Sequence, residues 1–152
     1  RRTPDGLITS GINRIVSPLT NMTMETQDLF LKNLIRWDPK RYVNIWVVNS
    51  IASISLGPGV AGYAYFPSSH GKPEDGIVCL AELFGKSPKE DVVLTHEMGH
   101  YLGLYHTHRK TNSGITDELV NGSNCQTAGD DVCVSGSSVY VGMATQWCGN
   151  GT

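Results

Sequence analysis

The chain has 152 residues, 39% hydrophobic and 17% charged, with a formal net charge of −2; that length fits one domain able to bury roughly 70% of its unfolded surface without help from metals or disulfides. The near-neutral balance offers no basic surface for nucleic acid or an anionic membrane. No apolar run approaches the ~18–20 residues of a membrane-spanning helix, since "GIVCLAELFG" (76–85) is too short and carries Glu82.

The opening "RRTPDGLITSG" is polar and lacks the apolar core of a signal peptide, although a mature secreted chain would have lost one. "INRIV" (12–16) reads as a short strand between turns. "METQDLFLKNLIRW" (24–37) puts Leu29, Phe30, Leu34 and Ile35 near one helical face. "RYVNIWVVN" (41–49), rich in β-branched and aromatic residues, is the clearest strand. "GVAGYAYFP" (59–67) is a second, closed by Pro67; glycine weakens a central strand, so this one belongs at a sheet edge that another backbone can approach. "GIVCLA" (76–81) is a third.

The strongest helix follows. Ser87 serves as N-cap, Pro88 takes the first helical position and Glu90 reaches back as capping-box partner. Helical spacing runs to Leu102, and Gly103, tolerant of positive φ, is the stop. After His108 the periodicity is lost, and a long irregular stretch points to function, bound metal or disulfides. Of the four cysteines, Cys125, Cys133 and Cys148 lie in this Gly/Ser-rich part and suggest disulfides and an extracytoplasmic setting, with Cys125 and Cys148 the expected pair. Cys79, in an apolar run, reads as a core thiol. Asn21, Asn121 and Asn150 head N-x-S/T sequons, acceptors only in a eukaryotic secretory context.

Four of the five histidines fall in "THEMGHYLGLYHTH" (95–108). On a helix His96 and His100 share a face, with about 6 Å of rise between them, so two imidazoles can grip one ion. Zinc prefers near-tetrahedral ligands at roughly 2.0–2.1 Å, which requires a third ligand from another direction. A helix stop at Gly103 allows His106 to swing in, leaving the fourth position to water as in a catalytic site. Glu97 lies about 60° around the helix from His100, close enough to take a proton from attacking water without ligating. The implied reaction is amide hydrolysis with zinc as the metal. A structural zinc site would need a fourth protein ligand, for which His108 is the nearby candidate, although two residues past His106 it points away in an extended segment. His70, in "SSHGKP", reads as a solvated loop side chain.

The run His96-Glu97-Met98-Gly99-His100-Tyr101-Leu102-Gly103-Leu104-Tyr105-His106 resembles the zinc motif of the metzincin metalloendopeptidases. With "WDPKRYVNIWVVN", "GYAYFP", "DGIVCLAELFG" and "GDDVC" in order, the chain is similar to the pappalysin branch. The resemblance implies an α/β (α+β) zincin fold, with a twisted mixed sheet over an active-site helix and an irregular C-terminal subdomain. It implies that Gly62, Tyr63 and Ala64 form the upper rim, pairing with an extended protein or peptide substrate. It also implies secretion, and calcium for which Asp130 and Asp131 are candidate ligands. The family's methionine turn has no match here: Met143 lies in "VGMATQW" and is not expected beneath the histidines. The chain therefore reads as a single catalytic domain over 1–152, incomplete at both ends. The rival reading is a non-catalytic zinc-containing binding or structural component with an incomplete cleft.

Overall fold

The computed structural model describes residues 2–84, 92–106 and 123–126. The backbone divides into two compact units, Arg1–Gly103 and Leu104–Thr152. Every element named below belongs to the first, and of the second only 104–106 and the turn at 123–126 are described. The architecture is mixed α/β, as the resemblance implies. Strands β1 (Asn21–Thr23), β2 (Ile45–Val48), β3 (Ser50–Ser53), β4 (Gly57–Pro58), β5 (Gly62–Ala64) and β6 (Ile77–Leu80) combine with helices α1 (Met24–Leu34) and α2 (Val92–Tyr101). They form two three-stranded mixed sheets, ordered β1-β3-β4 and β2-β6-β5. One nearly continuous run, 45–53, supplies a strand to each sheet. The break falls at Asn49, whose N–H bonds the Thr20 carbonyl at 2.7 Å instead of continuing a ladder.

Strand β6 organises the second sheet. It runs parallel to β2, with Trp46 opposite Val78, and antiparallel to β5, with Tyr63 opposite Val78. Its four residues are all buried because the pleat sends alternate side chains to opposite faces and both faces are covered. Val78 and Leu80 join Met22, Leu31, Trp46, Val48 and Ile51, while Ile77 and Cys79 pack with Tyr101, Ala64, Val93, Leu94 and Met98. Cys79 is thus the core thiol that its apolar setting predicts, and burial, then the nearby Glu97, pushes its pKa up to about 12. Strand β5 lies at the edge of its sheet, as its glycines lead one to expect.

Three expectations are corrected. The segment "INRIV" forms no strand: Ile12, Ile15 and Val16 are exposed and no backbone among the described residues pairs with them. Strand composition without a partner leaves a ladder unmade. Helix α1 stops at Leu34 because Ile35 turns extended. The Ile35 carbonyl accepts from the Trp46 indole N–H at 3.1 Å, and the Trp37 N–H is taken by the Asn44 side-chain oxygen at 2.8 Å. The helix also presents the opposite face from the apolar one. Leu29, Phe30 and Leu34 are exposed, and the buried residues are Asp28, Leu31 and Lys32. The N-cap signals at Ser87, Pro88 and Glu90 lie outside the described residues.

The charged pair turned inward has partners for the Lys32 ammonium and for Asp28 Oδ1, while Asp28 Oδ2 is buried with no hydrogen-bond partner among the described residues. Lys32, 0% exposed, lies 2.8 Å from Asp28 Oδ1 one helical turn away and donates to the Glu74 carbonyl at 2.7 Å. Its ammonium stands 4.2 Å from the centre of the Tyr65 ring. Desolvation lowers the Lys32 pKa against the opposing pull of Asp28. Removing one partner strands a buried charge, so Lys32→Ala is expected to lose about 3–5 kcal/mol of unfolding free energy, read by denaturant titration; a loss below about 1 kcal/mol would contradict the pairing.

At the start of α1, Glu25 ties down the turn after β3. Its carboxylate accepts from the Ser53 hydroxyl at 2.5 Å and the Ile54 N–H at 3.0 Å. The Ser53 bond chiefly, and the Ile54 bond next, hold its pKa down to about 2 from 4.5. A depressed carboxyl stabilises the fold above its unfolded value and loses that contribution as pH falls through its folded one. Acid titration from pH 4.5 to 2 should therefore destabilise the wild type more steeply than Glu25→Gln; parallel curves would refute the assignment.

Candidate functional site

Helix α2 carries His96, Glu97 and His100. The four-residue spacing brings the two histidines to one face, with Nε2 to Nε2 3.1 Å apart and ring centres 4.6 Å apart at 88°. The ring of His100 is also 5.6 Å from Phe66, which follows the edge strand. The helix ends as its glycine foretells. The N–H of Gly103 bonds the His100 carbonyl at 2.9 Å, and its φ of +101° is one that a side chain would strain. Three residues on, His106 places a ring nitrogen so that one nitrogen from each of His96, His100 and His106 lies within 4.8 Å of the others.

Glu97 points elsewhere on the helix. It is 6% exposed, packed beneath β5, and burial raises its carboxyl pKa from 4.5 to about 7. Edge strand and helix approach this closely because residue 62 is glycine. A Cβ built there would meet the Val78 carbonyl at 3.0 Å, Glu97 Cγ at 3.1 Å and Cys79 Sγ at 3.3 Å. Gly62, Tyr63 and Ala64 form β5, with β6 on one side and no further strand on the other among the described residues.

His70 is not merely solvated. Its Nε2 lies 2.9 Å from the Tyr101 carbonyl and its ring 4.3 Å from the Tyr101 ring, so it engages one of the carbonyls that the end of α2 leaves without an intrahelical partner. The Asp28–Lys32 pair behind β5 also escapes the sequence reading. The signal was their i, i+4 spacing within an apolar helix. His108, Asp130, Asp131, Cys133, Met143 and Cys148 lie outside the described residues, and with them the expected disulfide, calcium and methionine-turn assignments.

Comparison with known proteins bears on the whole pattern. Residues 25–146 match the peptidase M43 family, described as pregnancy-associated plasma protein-A. A protein of Verticillium alfalfae named extracellular metalloprotease is 27% identical over 89% of this chain and 48% of its own length. Relatives of the same name in Arthroderma otae and Pyricularia oryzae are 32% identical over 64% of this chain and 33% of their own length, and 25% over 88% and 47%, respectively. The chain thus spans half or less of the length of these relatives. No helix among the described residues is long and apolar enough to cross a membrane. A family match that begins in α1 and runs through the histidine motif shows that this chain belongs to the M43, pappalysin-like, family of peptidases.

Proposed function

We propose that the chain is the zinc-dependent endopeptidase portion of a secreted protein, acting on protein or peptide substrates. The observation that carries this reading is the convergence of three histidine nitrogens beside a buried carboxyl on one short helix and the turn after it. Four ligands around zinc at 2.0–2.1 Å would stand about 3.4 Å from one another. The 3.1 Å between the nitrogens of His96 and His100 is close to that value, so this donor set fits the ion. His96, His100 and His106 would hold it. When bound, zinc supplies Lewis acidity, polarising a carbonyl and acidifying water.

The remaining chemistry belongs to the chain. Glu97, poised near neutrality by burial, accepts a proton at its carboxylate from the water that attacks the peptide carbonyl, and returns it to the leaving amine nitrogen. The edge of β5 at Gly62, Tyr63 and Ala64 offers backbone groups to an extended substrate, which pairs with it as an added strand. The cover of β5 keeps bulk water from Glu97. The relatives' names favour this catalytic reading over a non-catalytic zinc-containing component, and the word extracellular in those names supports secretion.

The test is cleavage of an unfolded protein with and without a chelator. Activity should vanish on metal removal and return with zinc. Glu97→Gln should retain zinc by metal analysis yet lose roughly 10²–10⁴ in kcat, whereas His106→Ala should weaken metal binding itself; undiminished turnover in Glu97→Gln would sink the mechanism. Gly62→Ala forces a methyl against the Val78 carbonyl and Glu97. It should lower stability by about 1–3 kcal/mol, and kcat by more than that loss of folded protein explains.

A further inference from the structure

Strand β5 has a mechanical problem. Its outer edge must stay open if a substrate is to pair there, and among the described residues only the β6 side of its ladder holds it. Gly62 and Ala64, which face α2, are small, and the close packing over Glu97 requires them to be. Tyr63 is the one large side chain of the strand. It points to the opposite face, where its hydroxyl donates to Asp28 Oδ1 at 2.5 Å. Asp28 is held by Lys32 at 2.8 Å, and Lys32 is anchored in turn by the Glu74 carbonyl and lies 5.4 Å from the Tyr63 ring centre.

Stability alone does not account for this arrangement. A buried ion pair is often no better for stability than apolar residues of the same volume. Helix α1 had such residues to offer: Leu29, Phe30 and Leu34 stand exposed while Asp28 and Lys32 face inward. We propose that Asp28 and Lys32, acting through Tyr63, are positioning residues that pre-organise β5 for pairing with an extended peptide. This rests on the peptidase reading above. The brace acts on substrate binding because a strand already fixed in its paired conformation has less freedom to lose when a peptide joins it.

Tyr63→Phe removes the hydroxyl and keeps the ring, and Ile51→Val, in the same core but with no polar group that could join the hydrogen bonds of the brace, serves as a control of modest stability loss. In Tyr63→Phe, KM for an unstructured protein substrate should rise about tenfold with kcat within about twofold, the scale of one lost charge-assisted hydrogen bond. Amide hydrogen exchange at residues 62–65 should quicken by a similar factor, while α2 amides keep their protection. Ile51→Val should show neither change. Lys32→Met should raise KM on its own but add less than about twofold on the Tyr63→Phe background, because both act through one contact. Full additivity, or a Tyr63→Phe variant indistinguishable from Ile51→Val in KM and exchange, overturns the proposal. If the wild-type chain cleaves nothing, the peptidase reading fails by itself, and unchanged exchange at 62–65 in Tyr63→Phe then refutes the brace independently.

Discussion

Burial of β6 on both faces is the constraint from which the rest follows. A four-residue strand of Ile77, Val78, Cys79 and Leu80 cannot leave either set of side chains in water without losing most of its apolar transfer energy, roughly 25 cal/mol per Å². Helix α1 and the Trp46 layer cover Val78 and Leu80, and α2 covers Ile77 and Cys79 through Tyr101. Once α2 is seated on that face, its turn-by-turn geometry dictates where each side chain goes. Tyr101 and Glu97, four residues apart, both turn inward and are buried, while His96 is exposed. The face that carries His96 and the face that buries Glu97 are therefore separated by packing.

Two glutamates illustrate how environment divides one chemistry. Glu97 is desolvated beneath β5 and rises to about 7, whereas Glu25, at the surface with a hydroxyl and an amide donating to it, falls to about 2. The first is suited to trading protons near neutral pH, and the second stays ionised as a structural tie. Asp28 is buried like Glu97 but has Lys32 beside it, which compensates its charge. The tyrosines nearby respond to the same field. Burial, followed by the charge of Asp28, lifts Tyr65 to about 12, and burial with the Asp28 hydrogen bond keeps the Tyr63 hydroxyl protonated as a donor.

Much of the first unit was legible because its elements carry their own periodicity. Strands β2, β5 and β6 fall within the segments their composition marks, and the edge position of β5 follows from its glycines. Strands β1, β3 and β4 were missed. Ser50–Ser53 has one large apolar residue, Ile51, and becomes a strand by pairing with Asn21–Thr23 from far along the chain. The converse error at "INRIV" has the same cause, since a strand is defined by a neighbour that composition does not name.

What the sequence by itself determined is the local chemistry: the four-residue separation of His96 and His100, the glycine that ends the helix, and an acid next to the first histidine. These follow from the fixed geometry of a helix and the φ freedom of one residue. Tertiary structure decided everything that depends on exclusion of water or on distant partners. It buried Glu97 under Gly62, and it turned α1 so that Asp28 and Lys32 face Tyr63 while Phe30 faces solvent. Hydrophobic periodicity misread that helix because partners remote in sequence hold the charged pair inward, even with Asp28 Oδ2 left without a hydrogen bond among the described residues. Those partners, the Tyr63 hydroxyl and the Glu74 carbonyl, lie 35 and 42 residues away.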